Sequence, residues 1–223
     1  MVQLRRPLIL ASSSPRRQYL MREAGFVFTV KKPDVDEGFP PEMPVDQVAG
    51  FLARKKADYF TPGLDNEIII TADTVVILDS TILNKPESKE EALAMLSGLA
   101  GRSHRVMTGV CIASRQKEVI FDETTTVTFE PLSKDQIAFY IENFKPFDKA
   151  GAYGAQDCLA PGTNPCSDEE MAFLDKIDHR DLVKKTTSHA HSGIVIIRKI
   201  TGSYFNVMGL PIHKVHDYLT GWE

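Results

Sequence analysis

The chain has 223 residues, enough for one large domain or two small lobes around a substantial buried core. Charged residues make up 25% and hydrophobic ones 43%, the profile of an ordinary soluble globular protein, and the formal net charge of −4 speaks against a general nucleic-acid binder. Three cysteines, Cys111, Cys158 and Cys166, are too few and too scattered for a disulfide scaffold and read as cytosolic thiols.

The first element is an apolar strand, Leu8 to Ala11. Four residues are too short for the core of a signal peptide, and nowhere does an uncharged apolar stretch approach membrane-spanning length. A soluble, cytoplasmic protein is expected. A small-residue turn, Ser12-Ser13-Ser14, leads to Pro15, which opens a helix to Ala24 with Gly25 as its stop. Lys31 to Pro44 is a loop rich in proline and acid. A helix is predicted from Val45 to Tyr59, then a long strand from Ile68 to Leu78, almost continuously apolar as befits burial on both faces. Asp79-Ser80 turns the chain into a short return strand.

Ser88-x-x-Glu91 is a capping box that opens a helix through Leu99. Strands are predicted over Val106 to Ala113, Val119 to Asp122 and Thr124 to Phe129. Ser133-x-x-Gln136 caps a helix to Asn143. The tail holds a strand from Gly193 to Lys199, a Gly202-Ser203-Tyr204 turn and a helix after Pro211. Strands and helices mix without a strict βαβ rhythm, so the class is α/β with a mixed sheet. One domain over 1–223 is expected, with residues 158–192 as a polar insertion lying loose on its surface. Only Met171 to Ile177 carries a helical pattern there. The insertion contains Cys158, Cys166, His179, His189 and His191, but their spacing matches no standard zinc module.

Two arginines, Arg16 and Arg17, stand in the first turn of the first helix. Free backbone N–H groups and the positive end of the helix dipole attract anions there, and guanidinium forks grip phosphate oxygens. The same residues also fit an ordinary Ser14 cap with solvated arginines. Asp73 is the anomaly, a carboxylate in an apolar strand, costly to bury unless paired or metal-bound. It reads either as a structural ion-pair partner or as a general base or cation ligand. Lys56, Lys85 and Lys149 suit phosphate or plain solvation. Asp36 and Glu37 suit a hard divalent cation or an ordinary acidic loop, and His104 is a lone candidate acid or base. No GxxxxGK[ST] loop, GxGxxG fingerprint or nucleophile elbow is present.

Seven segments in order resemble the Maf family of nucleoside triphosphate pyrophosphatases. They are Leu10-Ala11-Ser12-x-Ser14-Pro15-Arg16-Arg17, Ala53-Arg54-x-Lys56-Ala57, Ala72-Asp73-Thr74-Val75-Val76 and Lys85-Pro86. Further on come His104-x-Val106-x-Thr108-Gly109-Val110, Asp148-Lys149-Ala150-Gly151-Ala152-Tyr153 with Gln156, and Gly202-Ser203-Tyr204-x-Asn206-Val207-x-Gly209-Leu210-Pro211. The resemblance implies a two-lobed, inosine-triphosphatase-like α/β fold with its active site in a cleft, often dimeric. It implies release of pyrophosphate from a nucleoside triphosphate with a divalent cation, Mg2+ or Mn2+. By motif position Asp73 is the proton acceptor; from the residues themselves, the anomalous carboxylate and the acidic loop, Asp73 and Glu37 are the expected metal ligands. Ser12, Ser14, Arg16, Arg17, Lys56, Thr74, Lys85, Lys149 and Gln156 are the substrate-binding set. Arg16, Thr74 and Gln156 fall where the family sets base preference, and Arg16 with Gln156 resembles the dTTP/UTP subgroup rather than the 7-methyl-GTP one. Two departures stand out: Asp157 replaces the common glycine after Gln156, and Ala155 replaces a bulkier apolar residue.

Two other classes remain. A non-catalytic nucleotide-binding regulator of cell division would use the same phosphate cradle, but a carboxylate beside a triphosphate repels the ligand of a pure binder. A nucleic-acid module lacks the aromatic-plus-basic stripe it needs.

Overall fold

A computed structural model describes residues 2–187 and 194–222. Within these, seven strands form one mixed sheet: β1 (Leu8–Ala11), β2 (Thr29–Lys31), β3 (Ile68–Leu78), β4 (Thr81–Leu83), β5 (Ser103–Ala113), β6 (Glu118–Phe129) and β7 (Ile197–Thr201). Their order is β2-β1-β3-β5-β6-β7, with β4 paired to β3. The chain clusters into two compact units, Met1–Thr74 with Met107–Glu123 and Gly209–Glu223, and Val75–Val106 with Thr124–Met208.

In the first unit β1 lies parallel to β2 and to β3, in register Ile9 to Thr29 and Ile9 to Ile69. Both of its faces are buried, which is why its sequence is unbroken Leu-Ile-Leu-Ala. Helix α1 (Pro15–Glu23) follows with Leu20 and Met21 buried, and Gly25 takes φ 83°, the left-handed stop a glycine adopts without a Cβ penalty. Helix α2 (Val45–Phe60) crosses the sheet at very short range. A Cβ on Gly109 of β5 would stand 2.3 Å from the Ala49 carbonyl carbon and the Gly50 nitrogen, so only glycine fits. The Thr71 hydroxyl of β3 donates to the Ala53 carbonyl of α2 at 2.6 Å. Between them sits a small-residue cluster that includes Ile9, Ala53, Ala57, Ile69 and Cys111. Helix α9 (Ile212–Thr220) closes this unit with Ile212, Val215 and Leu219 buried at helical spacing.

In the second unit Asp79, at φ 55°, turns β3 into the antiparallel β4. Helix α3 (Lys89–Leu99) is capped by Ser88 and packs on α4 (Lys134–Phe144), whose Ser133 and Gln136 form the complete capping box expected of them. Beyond a tight Ala150–Ala152 turn come α5 (Ala155–Cys158), α6 (Asp168–Lys176), α7 (Asp181–Thr187), β7 and α8 (Tyr204–Val207).

Three expectations need correction. The strands expected over 119–122 and 124–129 are one continuous strand, because Asp122 lies on an exposed position of the alternation and Glu123 is paired with Lys214. The last strand runs Ile197–Thr201, and Gly193, its expected start, lies outside the described residues, as do His189 and His191. The described part of segment 158–192 is not a loose surface loop. Its two helices bury Phe173, Leu174, Leu182 and Val183, and α6 carries its own Ser167–Glu170 capping box. Among the described residues no three His, Cys, Asp or Glu side chains gather for a metal ion, and His179 is paired with Asp181 at 3.1 Å.

The glycine at the α2 crossing is open to direct test. Gly109→Ala is expected to cost about 3 kcal/mol or more, because the colliding atoms are backbone and cannot rotate away. Thermal denaturation should show it as a clear loss of Tm, whereas Gly63→Ala, where nothing lies within 4 Å, should change little.

Candidate active site

The site is built on the end of β1, the start of α1, the middle of α2 and the point where β3 turns polar. Ser12 and Ser14 shape the turn. The Ser12 hydroxyl accepts the Ser14 N–H at 3.2 Å, and Ser14 caps α1 by accepting the Arg17 N–H at 3.4 Å. Gln18 donates to the Ser12 carbonyl at 3.1 Å, which pins the turn from the helix side.

The two arginines separate into different jobs. Arg17 folds back onto the scaffold: its Nε donates to the Gly209 carbonyl at 2.7 Å, Nη1 to the Ala72 carbonyl at 2.8 Å and Nη2 to the Thr74 hydroxyl at 2.8 Å. Burial pulls its pKa below the ordinary arginine value, opposed by the carboxylate of Asp73. Arg17 therefore braces the backbone on either side of Asp73. Arg16 is half-buried and, among the described residues, makes no hydrogen bond or ion pair. Its fork is the one available to an anion.

Asp73 occupies an intermediate position in β3, after five fully buried residues. Its Oδ1 accepts from the Lys56 ammonium, which reaches it from α2, and Lys56 also pairs with Glu37 Oε1 at 2.7 Å. The Lys56 side chain is only 8% exposed and that of Asp73 13%, while Glu37 is 54% exposed. A lysine this buried needs its carboxylate partner, and the partner needs it. Asp73 Oδ2 makes no hydrogen bond among the described residues. Asp73 is thus an ion-pair partner through one oxygen.

Asp36 does not join this cluster; it pairs on the surface with Lys55 at 3.3 Å. Thr74 shares its hydroxyl hydrogen bonds with Arg17 and with Thr108 Oγ1 at 2.9 Å. Thr108 and the Gly209 carbonyl are contributors that sequence reasoning placed in motifs without a role.

Lys85, Lys149 and Gln156 belong to the second unit. Lys85 is exposed and makes no hydrogen bond or ion pair among the described residues. Lys149 is held by Asp148 at 2.6 Å and lies along Gly154, whose added Cβ would stand 3.0 Å from Lys149 Cε. Gln156 stands on α5, a single turn whose cap, Gly154, provides no side chain. Its Oε1 is buried and has no hydrogen-bond donor among the described residues, an expensive state for an amide oxygen. His104, by contrast, is a core residue. Its ring meets Phe129 and Tyr153 edge-on, and Nε2 is 2.7 Å from the Tyr153 hydroxyl. Burial lowers its pKa to about 4.

With this geometry in view, the comparisons with known proteins are informative. The profile of the Maf family (Maf-like protein) matches residues 7–162. A dTTP/UTP pyrophosphatase of Flavobacterium johnsoniae is 36% identical over 96% of this chain and 93% of its own length. One of Porphyromonas gingivalis is 38% identical over 95% of this chain and 92% of its own. The Staphylococcus aureus Ham1 protein superimposes with a TM-score of 0.40 at 14% identity, covering 55% of this chain and 71% of that one. The mixed sheet with its helices makes this an α/β protein. It belongs to the Maf family.

His104 makes a pH prediction with a definite sign. Its folded pKa of about 4 lies below the ordinary value of 6.5, so the unfolded chain binds the extra proton first as pH falls. The stability it contributes is complete above about pH 6.5 and is lost progressively toward pH 4, roughly 3 kcal/mol in all. Denaturant titrations between pH 7 and 4 should show that slope, and His104→Gln should flatten it.

Proposed function

We propose that this protein is a nucleoside triphosphate pyrophosphatase that hydrolyses dTTP and UTP to the monophosphate and pyrophosphate. The observation that carries the reading is Asp73: a carboxylate in the middle of a buried strand, held through Oδ1 by a buried lysine, with Oδ2 making no hydrogen bond among the described residues. The names of the relatives support the same activity.

The reaction follows from these side chains. The Ser12–Ser14 turn and the first N–H groups of α1 present positive charge to a triphosphate, and Arg16 supplies a free fork. In the second unit Lys85, which is exposed and makes no hydrogen bond or ion pair among the described residues, and Lys149 are further cations suited to phosphate. Water is oriented by Asp73 Oδ2, which takes its proton as the water oxygen bonds to the α-phosphorus. The bond from that phosphorus to the bridging oxygen breaks, and pyrophosphate leaves. Lys56 holds Asp73 Oδ1 in place and offsets the negative charge that Asp73 and Glu37 bring together. Positioning and charge stabilisation are most of what phosphoryl transfer asks of a protein.

The residues fit a divalent cation. Asp73 and Glu37 converge on one ammonium, and magnesium is ordinarily held by one or two carboxylates plus substrate phosphates rather than by an all-protein cage. When bound, Mg2+ or Mn2+ would offset the charge of the phosphates.

Base choice rests on Gln156. Thymine and uracil present an imide N3–H, the donor that its buried Oε1 lacks, whereas cytosine presents an acceptor at that position. A site built around such a hydrogen bond rejects the base that cannot form it. We assign the activity to the cytoplasm, in keeping with the free thiols.

Purified protein with Mg2+ should release pyrophosphate from dTTP and UTP and far less from CTP, ATP or GTP. Asp73→Asn should fold and lose about 10²–10⁴-fold in kcat. Nucleotide binding without turnover by the wild type would favour the regulator instead. Full turnover by a folded Asp73→Asn protein would remove Asp73 from the chemistry.

A further inference from the structure

From residue 163 on, the segment between Gln156 and the Gly202-Ser203-Tyr204-x-Asn206 motif lies beyond the residues that the family profile matches. It ties two places together. Glu170 of α6 is fully buried, and each of its oxygens accepts two hydrogen bonds. Oε2 takes the N–H of Ser167, closing the cap of its own helix, and the N–H of Tyr204, both at 2.9 Å. Oε1 takes the Ser203 hydroxyl at 2.6 Å and the Phe205 N–H at 2.8 Å. Tyr204 and Phe205 are the first two residues of α8, so one carboxylate caps two helices at once.

The network continues inward. Ser203 Oγ accepts the Asn206 N–H at 2.9 Å, and Asn206 Nδ2 donates to the Val106 carbonyl and to Thr125 Oγ1, each at 3.0 Å. From the other end, α7 packs on α5, the turn that carries Gln156, while the Tyr204 hydroxyl donates to the Thr186 carbonyl of α7 at 3.3 Å. Helix α6 passes into α7 through a tight link, with the His179 N–H bonded to the Leu174 carbonyl at 2.8 Å. Helix α5 is four residues long and has no capping side chain, so it cannot hold its own orientation. What fixes it is what packs against it.

We infer that α6 and α7 form a brace for base recognition, in which Glu170 is a positioning residue that locks the brace to α8 and so holds Gln156 in register. The inference rests on the reading of Gln156 given above. Glu170 does not touch substrate; it acts through α8 and α7. Its contribution is directional: four donors on two oxygens set both the position and the angle of α6, which an apolar contact would not do.

The test compares Glu170→Gln and Glu170→Ala with Leu174→Ala, which removes a fully buried side chain from the same helix but no bond to α8. The wild type and all three variants are assayed for pyrophosphate release from UTP and CTP, for Tm, and for amide exchange at Tyr204 and Phe205. The Glu170 variants should raise KM for UTP about tenfold with a smaller change in kcat, and narrow the preference for UTP over CTP by a similar factor. Their Tyr204 and Phe205 amides should exchange faster than in the wild type. Leu174→Ala should lower Tm and leave KM and base preference alone. If Glu170→Ala does not fold, Glu170→Gln, which presents an NH2 group to one pair of donors, carries the comparison. Glu170 variants that lose stability as Leu174→Ala does, with unchanged KM, base preference and amide protection, would overturn the brace. If the wild type hydrolyses neither UTP nor dTTP, the pyrophosphatase reading has failed, and unchanged exchange at Tyr204 and Phe205 would then overturn Glu170 as the lock.

Discussion

The pairing of Lys56 with Asp73 is the constraint around which the first unit is arranged. A carboxylate in an apolar strand and an ammonium 8% exposed on a packed helix are each untenable alone. Bringing them together demands that α2 lie almost on the sheet, and the sequence provides for that with Gly109 beneath Ala49 and Gly50 and with small residues in the facing cluster. The backbone beside Asp73 is then pinned by Arg17 at the Ala72 carbonyl and the Thr74 hydroxyl. Oδ1 holds the helix, and Oδ2 makes no hydrogen bond among the described residues; in the proposed reaction it is the oxygen that meets water.

Much of this was legible beforehand. The buried strand from Ile68 to Leu78 has the bounds its apolar run implies, and Ser14, Ser88 and Ser133 cap the helices they were expected to cap. These are local signals, a run of one residue type or a spacing of three, and local physics decides them. The anomaly of Asp73 was equally legible, because polarity out of place is visible without coordinates.

What escaped the sequence depended on contacts distant along the chain. Arg16 and Arg17 are neighbours of the same type, yet one is spent on Gly209, 192 residues away, and the other makes no hydrogen bond or ion pair among the described residues. No spacing rule separates them. The sequence carries one job of Glu170, as the last residue of the capping box Ser167-x-x-Glu170. Its second job, at Tyr204 and Phe205, joins residues 34 and 35 positions apart, which only the fold reveals. The short helices α5, α7 and α8 are held by such contacts rather than by propensity, so their sequences carry little periodicity.

In the proposed reaction, water activated at Asp73 attacks the α-phosphorus. Turnover of UTP in 18O-enriched water tests it most directly. The account predicts that one 18O enters the monophosphate and none enters the pyrophosphate. Label found in pyrophosphate, or in inorganic phosphate released alongside a nucleoside diphosphate, would place the attack on another phosphorus and contradict it.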